Sequence, residues 1–567
     1  MYLCANAQIQ TTKMNNITHN TSTKTLLRWL WSNSTGARGQ ATFNTIVGLF
    51  DVACQLLWVL ACKRAIDIAT GECEGSIAIT GVIIGTLMLA EILSRATSRW
   101  IHAVIGIKVC NKMRLKIFAR LLRGEWLHLQ KHHTGDLINR LEGDVNSITA
   151  LITETIPATI VVLVQLVASF AMLFFMSPIL AVSVLIALPI AMVASRFYIK
   201  KMRKFNREVR DSDSRIQEVL QESLQHKALI KAMEQNENTE QQLTSLQKKL
   251  QSQVRNRTKF SIGAYSFTQL GFAAGYLIAF MWGVYGLASG TVSFGTLSAY
   301  LQLVGLIQRP TMDMSRFIPG IVASLTAAER LHELEDIPEE QQGDSIMLQG
   351  TAGVRFNGVN FRYDGESRTI FNNFCYDFPP NSCTAIVGET GAGKTTLIRL
   401  LVALINPQGG NVEIYNENEK HQSSTLTRCN FVYIPQGNSL ISGTIRDNLL
   451  MGNPAATDEE ITRALYIACA EYVTELPQGI DTELSEQGGG LSEGQAQRIA
   501  VARSILRPGS ILILDEVTSA LDEETEQEML RRLTSSQTGK TLIFVTHRPA
   551  IIKYCDKVLR IEKPQET

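Results

Sequence analysis

Residues 388–396 read GETGAGKTT. Gly388 and Gly393 bracket four residues and are followed at once by Lys394 and Thr395. Glycines at this spacing let backbone N–H groups wrap phosphates at the positive end of a helix. Lys394 can then reach the β and γ phosphates, and Thr395 can offer its hydroxyl to Mg2+. The setting supports that chemistry. SCTAIVG (382–388) reads as an apolar strand and KTTLIRLLVAL (394–404) as a helix. The loop between them, with Glu389, Thr390, Gly391 and Ala392, is therefore expected to bind a nucleotide together with Thr396 in the first helical turn.

SILILDEVTSALD (510–522) supplies a metal ligand and a base. Asp515 closes a run of four apolar residues, where it can hold Mg2+ through water. Glu516 comes next and can orient or deprotonate an attacking water. Phosphoryl transfer asks for little else than charge neutralisation and an aligned nucleophile. TLIFVTHRP (541–549) is another apolar strand, ending at His547, which is expected to contact a γ-phosphate. A second helix start lies at LSEGQ (491–495), before AQRIAVARSIL. Ser492 and Gln495 have the spacing of a capping box, and a helix N-terminus attracts anions. One chain thus holds two phosphate-ready helix starts.

The elements that must position these residues fall into two parts. The 567 residues are 45% hydrophobic and 19% charged, with net charge +1, so no global field points to nucleic acid. The ten cysteines are scattered without a CxxC, which argues for free thiols, with Cys73 the most exposed. Residues 1–23 form a polar tail without an apolar signal core. Residues 24–334 hold six apolar stretches, about 42–64, 77–98, 150–176, 178–199, 261–288 and 293–316, each long enough to span a bilayer. Residues 335–352 read as a polar linker, and 353–567 as an α/β domain of alternating strands and helices.

Segment 108–133 carries Lys108, Lys112, Arg114, Lys116, Arg120, Arg123 and Lys131, and 200–259 is also rich in Lys and Arg. The positive-inside rule makes both cytoplasmic, together with both termini. Residues 24–33 (KTLLRWLWSN) read as an amphipathic helix on the inner leaflet. Helical periodicity continues past the apolar zones through 95–123 and 200–259, so a 25-residue extension would reach roughly 37 Å below the membrane. The turns near 124–141 and 222–236 are then poised to contact something below. Glu91, Arg95 and Arg99 share one face of the second span, and Gln302, Arg309, Asp313 and Arg316 decorate the sixth. Such groups line a cavity, pair with one another or snorkel at the inner leaflet.

Together these motifs resemble an ATP-binding-cassette exporter half-transporter of the type IV, multidrug- and lipid-exporter-like kind. The resemblance covers residues 24–562. It implies a six-helix transmembrane domain with long cytoplasmic extensions, followed by a P-loop ATPase domain. Gln436 in YIPQGNSLISGTIRDNL (433–449) resembles the family's Q-loop glutamine, which reaches Mg2+. Tyr363 in NFRYDGE resembles the aromatic that stacks on adenine, and Asp522 in SALD resembles the D-loop aspartate. LSEGQ, Leu491 to Gln495, resembles the signature that closes on the partner chain's nucleotide. TELSEQG (482–488) resembles the segment that touches the transmembrane domain, and the two cytoplasmic turns resemble coupling helices. The usual signature is LSGGQ; here Glu493 replaces the first Gly, and its side chain is expected to point away from the nucleotide.

The resemblance implies ATP and Mg2+ as cofactors and ATP hydrolysis coupled to export of an amphipathic lipid, drug or similar small molecule. It implies a multi-pass protein of a bacterial cytoplasmic membrane, with a second copy of itself or a paralogous half-transporter as partner and no nucleic acid. The alternatives on the same frame are a peptide exporter without a peptidase domain and an ATP-gated channel or regulator.

Overall fold

The computed structural model describes residues 23–33, 36, 38–365, 368–485, 488–536 and 539–563. The polar tail before residue 23 lies outside them, as do Glu486 and Gln487 of TELSEQG and the side chains of Arg309, Asp313 and Arg316. Contacts divide the chain into two units, Met1–Ile117 with Leu137–Glu333 and Phe118–Asp136 with Leu334–Thr567.

The helices of the first half are α1 (Thr23–Asn33), α2 (Arg38–Ala69), α3 (Ile77–Arg123), α4 (Trp126–Leu129), α5 (Thr134–Met176), α6 (Pro178–Gln225), α7 (Lys227–Ala232), α8 (Asn236–Ala288) and α9 (Phe294–Glu335). Among the described residues α2, α3, α5 and α8 are long and apolar enough to cross a membrane. The remaining two apolar stretches lie in α6 and α9. Ser177, extended at φ −154°, breaks the chain between α5 and α6, and Pro178 starts the next helix where its missing N–H costs nothing. The α6 and α8 helices run 48 and 53 residues, well beyond a bilayer's need. In α1, Leu26, Trp29 and Leu30 are buried while Trp31 is exposed, the amphipathic division its sequence calls for. Val59, Leu173, Leu180, Ala279, Tyr300, Leu303 and Ile307 form the apolar core of this unit.

Two π-turns interrupt α5, at Arg140–Asp144 and Leu151–Thr155. The first carries a brace. Arg140 Nη1 donates to Glu333 Oε2 (2.7 Å) and to the Arg330 carbonyl (3.0 Å), and Arg330 Nη2 donates to Asp144 Oδ1 (2.6 Å). Arg140 and Asp144 are buried, so each charge needs the partner it has.

The second unit contains β1 (Gly353–Phe361), β2 (Phe371–Phe378), β3 (Cys383–Val387), α10 (Lys394–Leu401), β4 (Gly409–Tyr415), β5 (Lys420–Gln422), β6 (Phe431–Ile434), β7 (Gly443–Thr444), α11 (Ile445–Leu450), α12 (Asp458–Ile467), β8 (Glu483–Leu484), α13 (Glu493–Leu506), β9 (Ile511–Asp515), α14 (Glu523–Ser536), β10 (Thr541–Val545), α15 (Pro549–Ile552) and β11 (Lys557–Arg560). A parallel sheet runs β11-β3-β10-β9-β6, and an antiparallel one runs β2-β1-β4-β5. Every residue of β9 and β10 is buried, which is why both read as unbroken apolar runs rather than alternating ones. The register pairs Asp515 with Val545 and Ile434 with Leu514, so the strands end together. Gly388, Gln436, Glu516 and His547 therefore all leave the sheet at its carboxyl edge, where open α/β sheets place ligands.

Residues 335–352 are packed against this unit. Ile337, Leu348 and Ala352 are buried, and Arg428 grips Glu340 through two bonds of 2.9 and 3.0 Å. The α4 turn belongs to the same unit. Glu125 N–H donates to the Pro338 carbonyl (2.9 Å), Leu127 packs against this unit's apolar core, and Lys131 Nζ lies 3.6 Å from Asp364 Oδ2.

Candidate active site

The phosphate loop begins where β3 ends. A Cβ on Gly388 would stand 2.4 Å from the Ile561 carbonyl, so only glycine fits. Gly391 and Gly393 have φ of +81° and +106°, which L side chains avoid. Gly393 is the N-cap of α10 and gives no side-chain cap, leaving the first N–H groups of that helix for a ligand. Lys394 Nζ donates to the carbonyls of Gly388 (2.6 Å) and Glu389 (3.2 Å) and lies 2.9 Å from His547 Nε2. Burial pulls this ammonium below its usual range, against the raising charges of Glu516 and Asp515. Thr390 and Thr395 are exposed, whereas Ala392 and Thr396 are buried. The Thr396 hydroxyl meets Tyr363 Oη at 3.2 Å, and Arg399 donates to the same oxygen (3.0 Å). Tyr363 stands edge-on to Phe361 at 5.0 Å.

Asp515 is buried at the end of β9, where Tyr433 Oη donates to its Oδ2 (3.3 Å). Burial, and then the neighbouring Glu516 charge, push its carboxyl up to about 6. A pair of adjacent carboxylates, one buried, is the donor chemistry that a hard divalent cation relieves. Glu516 has φ of +50°, in the left-handed region. Such backbone costs about 1–3 kcal/mol and persists where the surroundings impose it. The Glu516 N–H still donates to the Val545 carbonyl (3.0 Å), so the ladder to β10 runs up to the residue where the backbone turns left-handed. Gln436 Nε2 donates to Glu516 Oε2 (2.6 Å), and His547 Nε2 lies 3.4 Å from Oε1. Lys394, Gln436, Asp515, Glu516 and His547, spread over 154 positions of sequence, thus meet at one sheet edge.

The signature residues form a second group. Ser492 caps α13: its Oγ accepts from Gln495 N–H (3.2 Å), and Gln495 Oε1 accepts from Ser492 N–H (2.9 Å), completing the capping box. Leu491 packs against the core and Glu493 is exposed. Gly494 is a different kind of glycine, because a Cβ there would lie 2.7 Å from the Ala520 carbonyl of SALD. Close approach therefore demands glycine at 494 and leaves 493 free to be glutamate. Asp522 caps α14, accepting from Thr525 N–H (3.0 Å), which holds its carboxyl below the usual range. Among the described residues, no hydrogen bond joins Leu491–Gln495 to the phosphate loop of the same chain.

Four contributors were not singled out in the sequence: Tyr433, Arg399, Ala520 and Lys563, whose Nζ lies 2.7 Å from Glu389 Oε2. Tyr433 had a signal, a hydroxyl near the end of an apolar strand three residues before Gln436. The others depend on tertiary contacts that leave no local mark. In the first unit, Arg95 ion-pairs with Glu91 and lies 3.6 Å from Asp51 Oδ1, Arg99 is exposed, and Gln302 donates to Ser298 (3.1 Å).

Two family models match the chain, the ABC transporter transmembrane region over residues 42–311 and the ABC transporter domain over 371–519. A multidrug resistance ABC transporter ATP-binding and permease protein of Lactococcus lactis is 29% identical over 505 residues, 86% of this chain and 84% of the relative. The ABC transporter ATP-binding protein YknV of Bacillus subtilis is 26% identical over 485 residues, 85% of this chain and 80% of the relative. The fold is shared with a bacterial Atm1-family ABC exporter solved with ATP bound, at a TM-score of 0.77 and 23% identity over 93% of this chain and 94% of that one. The chain belongs to the ATP-binding-cassette exporters: a membrane-spanning region fused to an ATPase domain that binds ATP and couples its hydrolysis to transport.

Proposed function

We propose that this chain works as a homodimer with two equivalent ATP sites, each closed by the signature of the other chain, and exports an amphipathic lipid or drug-like molecule from the cytoplasmic side of a bacterial membrane. The convergence of Lys394, Gln436, Glu516 and His547 supports the catalytic half of this reading. Lys394 and the N–H groups of α10 hold the β and γ phosphates. Glu516, oriented by Gln436 and His547, takes the proton of the attacking water at its carboxylate. Thr395, Gln436 and Asp515 would hold Mg2+, which supplies charge neutralisation on the phosphates. Tyr363 provides a face for adenine.

The signature half of the reading rests on its separation from the phosphate loop within one chain. Ser492, at an anion-attracting helix start, is left to serve a γ-phosphate on a second chain. No residue of the composite site is degraded, which favours two copies of this chain over a pairing with a paralogue. The turns at α4 and α7 serve as coupling helices. The paired charges Asp51, Glu91 and Arg95 on α2 and α3 give the membrane region a polar seam beside apolar walls, which suits an amphipathic cargo.

Mixed dimers test the dimeric reading. One chain carries Ser492→Arg and the other Lys394→Ala, which concentrates both lesions in one trans site. One occluded ATP per mixed dimer is expected; none, with the dimer shown to form, would mean that each chain completes its own site. Cargo class is read by ATPase stimulation of the purified protein by a panel of lipids, drugs and peptides.

A further inference from the structure

The strand β11 is an edge strand, bonded only to β3 in the five-stranded sheet. Past its end the chain lies across the phosphate loop. Ile561 N–H donates to the Val387 carbonyl (2.9 Å), its own carbonyl occupies the space beside Gly388, and Lys563 pairs with Glu389. Before its start the chain is fastened to the first residue of β3. Asp556 N–H donates to the Cys383 carbonyl (2.8 Å), and Cys383 N–H donates to Asp556 Oδ2 (2.9 Å). There the Cys383 thiol donates to the Cys555 sulfur at 3.2 Å. Cys383 is buried and Cys555 half-buried. A disulfide needs about 2.05 Å, so the sulfurs must close by about 1 Å, on backbones already held together.

We propose that Cys383 and Cys555 form an oxidisable dithiol site whose disulfide fastens the edge strand β11, and with it the strap over the phosphate loop, to β3. The oxidant is a peroxide. The Cys555 thiolate attacks one peroxide oxygen, becoming a sulfenic acid as the other oxygen leaves and is protonated to water or an alcohol. Cys383 then attacks the Cys555 sulfur, and the sulfenic oxygen leaves with a proton as water. The two thiols lose two electrons and two protons, and the peroxide takes both. A cytosolic dithiol reverses the step by exchange. The bond donated by Cys383 lowers the Cys555 thiol below its usual range and raises Cys383, in keeping with Cys555 as the attacking sulfur. Among the described residues these are the only two cysteines in thiol–thiol contact.

The full-length protein in lipid nanodiscs is treated with hydrogen peroxide, alkylated and digested for mass spectrometry. A Cys383–Cys555 peptide that dithiothreitol releases is expected, together with several-fold slower amide exchange over 557–563. Neither change should occur in Cys555→Ser, and in Cys383→Ala the unresolved Cys555 should oxidise further to the sulfinic acid. Recovery of wild-type Cys555 as sulfinic acid while Cys383 stays alkylatable would overturn the site. Formation of the linked peptide with unchanged exchange over 557–563 would overturn the strap.

Discussion

The starts of α10 and α13 are two solutions to one problem, the unpaired N–H groups at a helix beginning. At α10 the N-cap is Gly393, in a left-handed conformation and with no side chain to offer, so the N–H groups stay open for phosphate. At α13 the N-cap is Ser492, whose hydroxyl oxygen accepts from the Gln495 N–H, so one N–H group of that start is satisfied from within. The first can hold a ligand in an isolated chain. The second fixes Ser492 Oγ through a bond that it accepts, worth about 1 kcal/mol, and leaves the O–H as a donor for a phosphate. The difference suits a tight site that binds first and a closing site that engages only when a second chain presents its nucleotide.

The largest effect isolates the binding from the chemistry. Glu516→Gln should slow hydrolysis by about 10²–10⁴-fold while ATP binding persists, since the base is lost and the phosphate contacts remain. Trapped nucleotide in a closed dimer is the readout; near-normal turnover would remove Glu516 from its role. Next is Gly494→Ala, whose Cβ would meet the Ala520 carbonyl at 2.7 Å. It should destabilise the ATPase domain by about 1–3 kcal/mol, seen as a lower melting temperature, and misplace the signature. Ser492 separates capping from ligation. Ser492→Asp keeps a cap and adds a charge, so melting should be unchanged and ATP-driven closure lost, whereas Ser492→Ala should cost about 1 kcal/mol of stability. Equal ATP-driven closure in Ser492→Asp and wild type would break the contrast between the two helix starts. The smallest effect is Glu493→Gly. Its side chain is exposed, so nucleotide affinity should change by about 1 kcal/mol or less in an equilibrium titration.

Much of this site was legible because its chemistry is written in contiguous residues. GETGAGKTT and LSEGQ need fixed local geometry, and the apolar strands leading to Asp515 and His547 announce their burial. The long helices were legible from their periodicity. What escaped was set by pairing between distant residues. Nothing near Gly494 in the sequence reports the Ala520 carbonyl that forbids a side chain there, and the departure at 493 looks equally serious until that contact is seen. The left-handed backbone at Glu516 is likewise invisible, because nothing in the local sequence marks a non-glycine residue for that conformation. The π-turns of α5 leave no trace either, since their residues are compatible with an ordinary helix.

The Gly494–Ala520 contact has a mechanical meaning. Two backbones packed so closely that a Cβ has no room leave little space to slide, so the start of α13 and the SALD turn are expected to shift together. A displacement of Asp522 then bears on the segment that carries Ser492. In a dimer with trans sites, the stretch that senses one nucleotide would be yoked to the stretch that grips the other, and the two sites would keep time with each other through a single missing side chain.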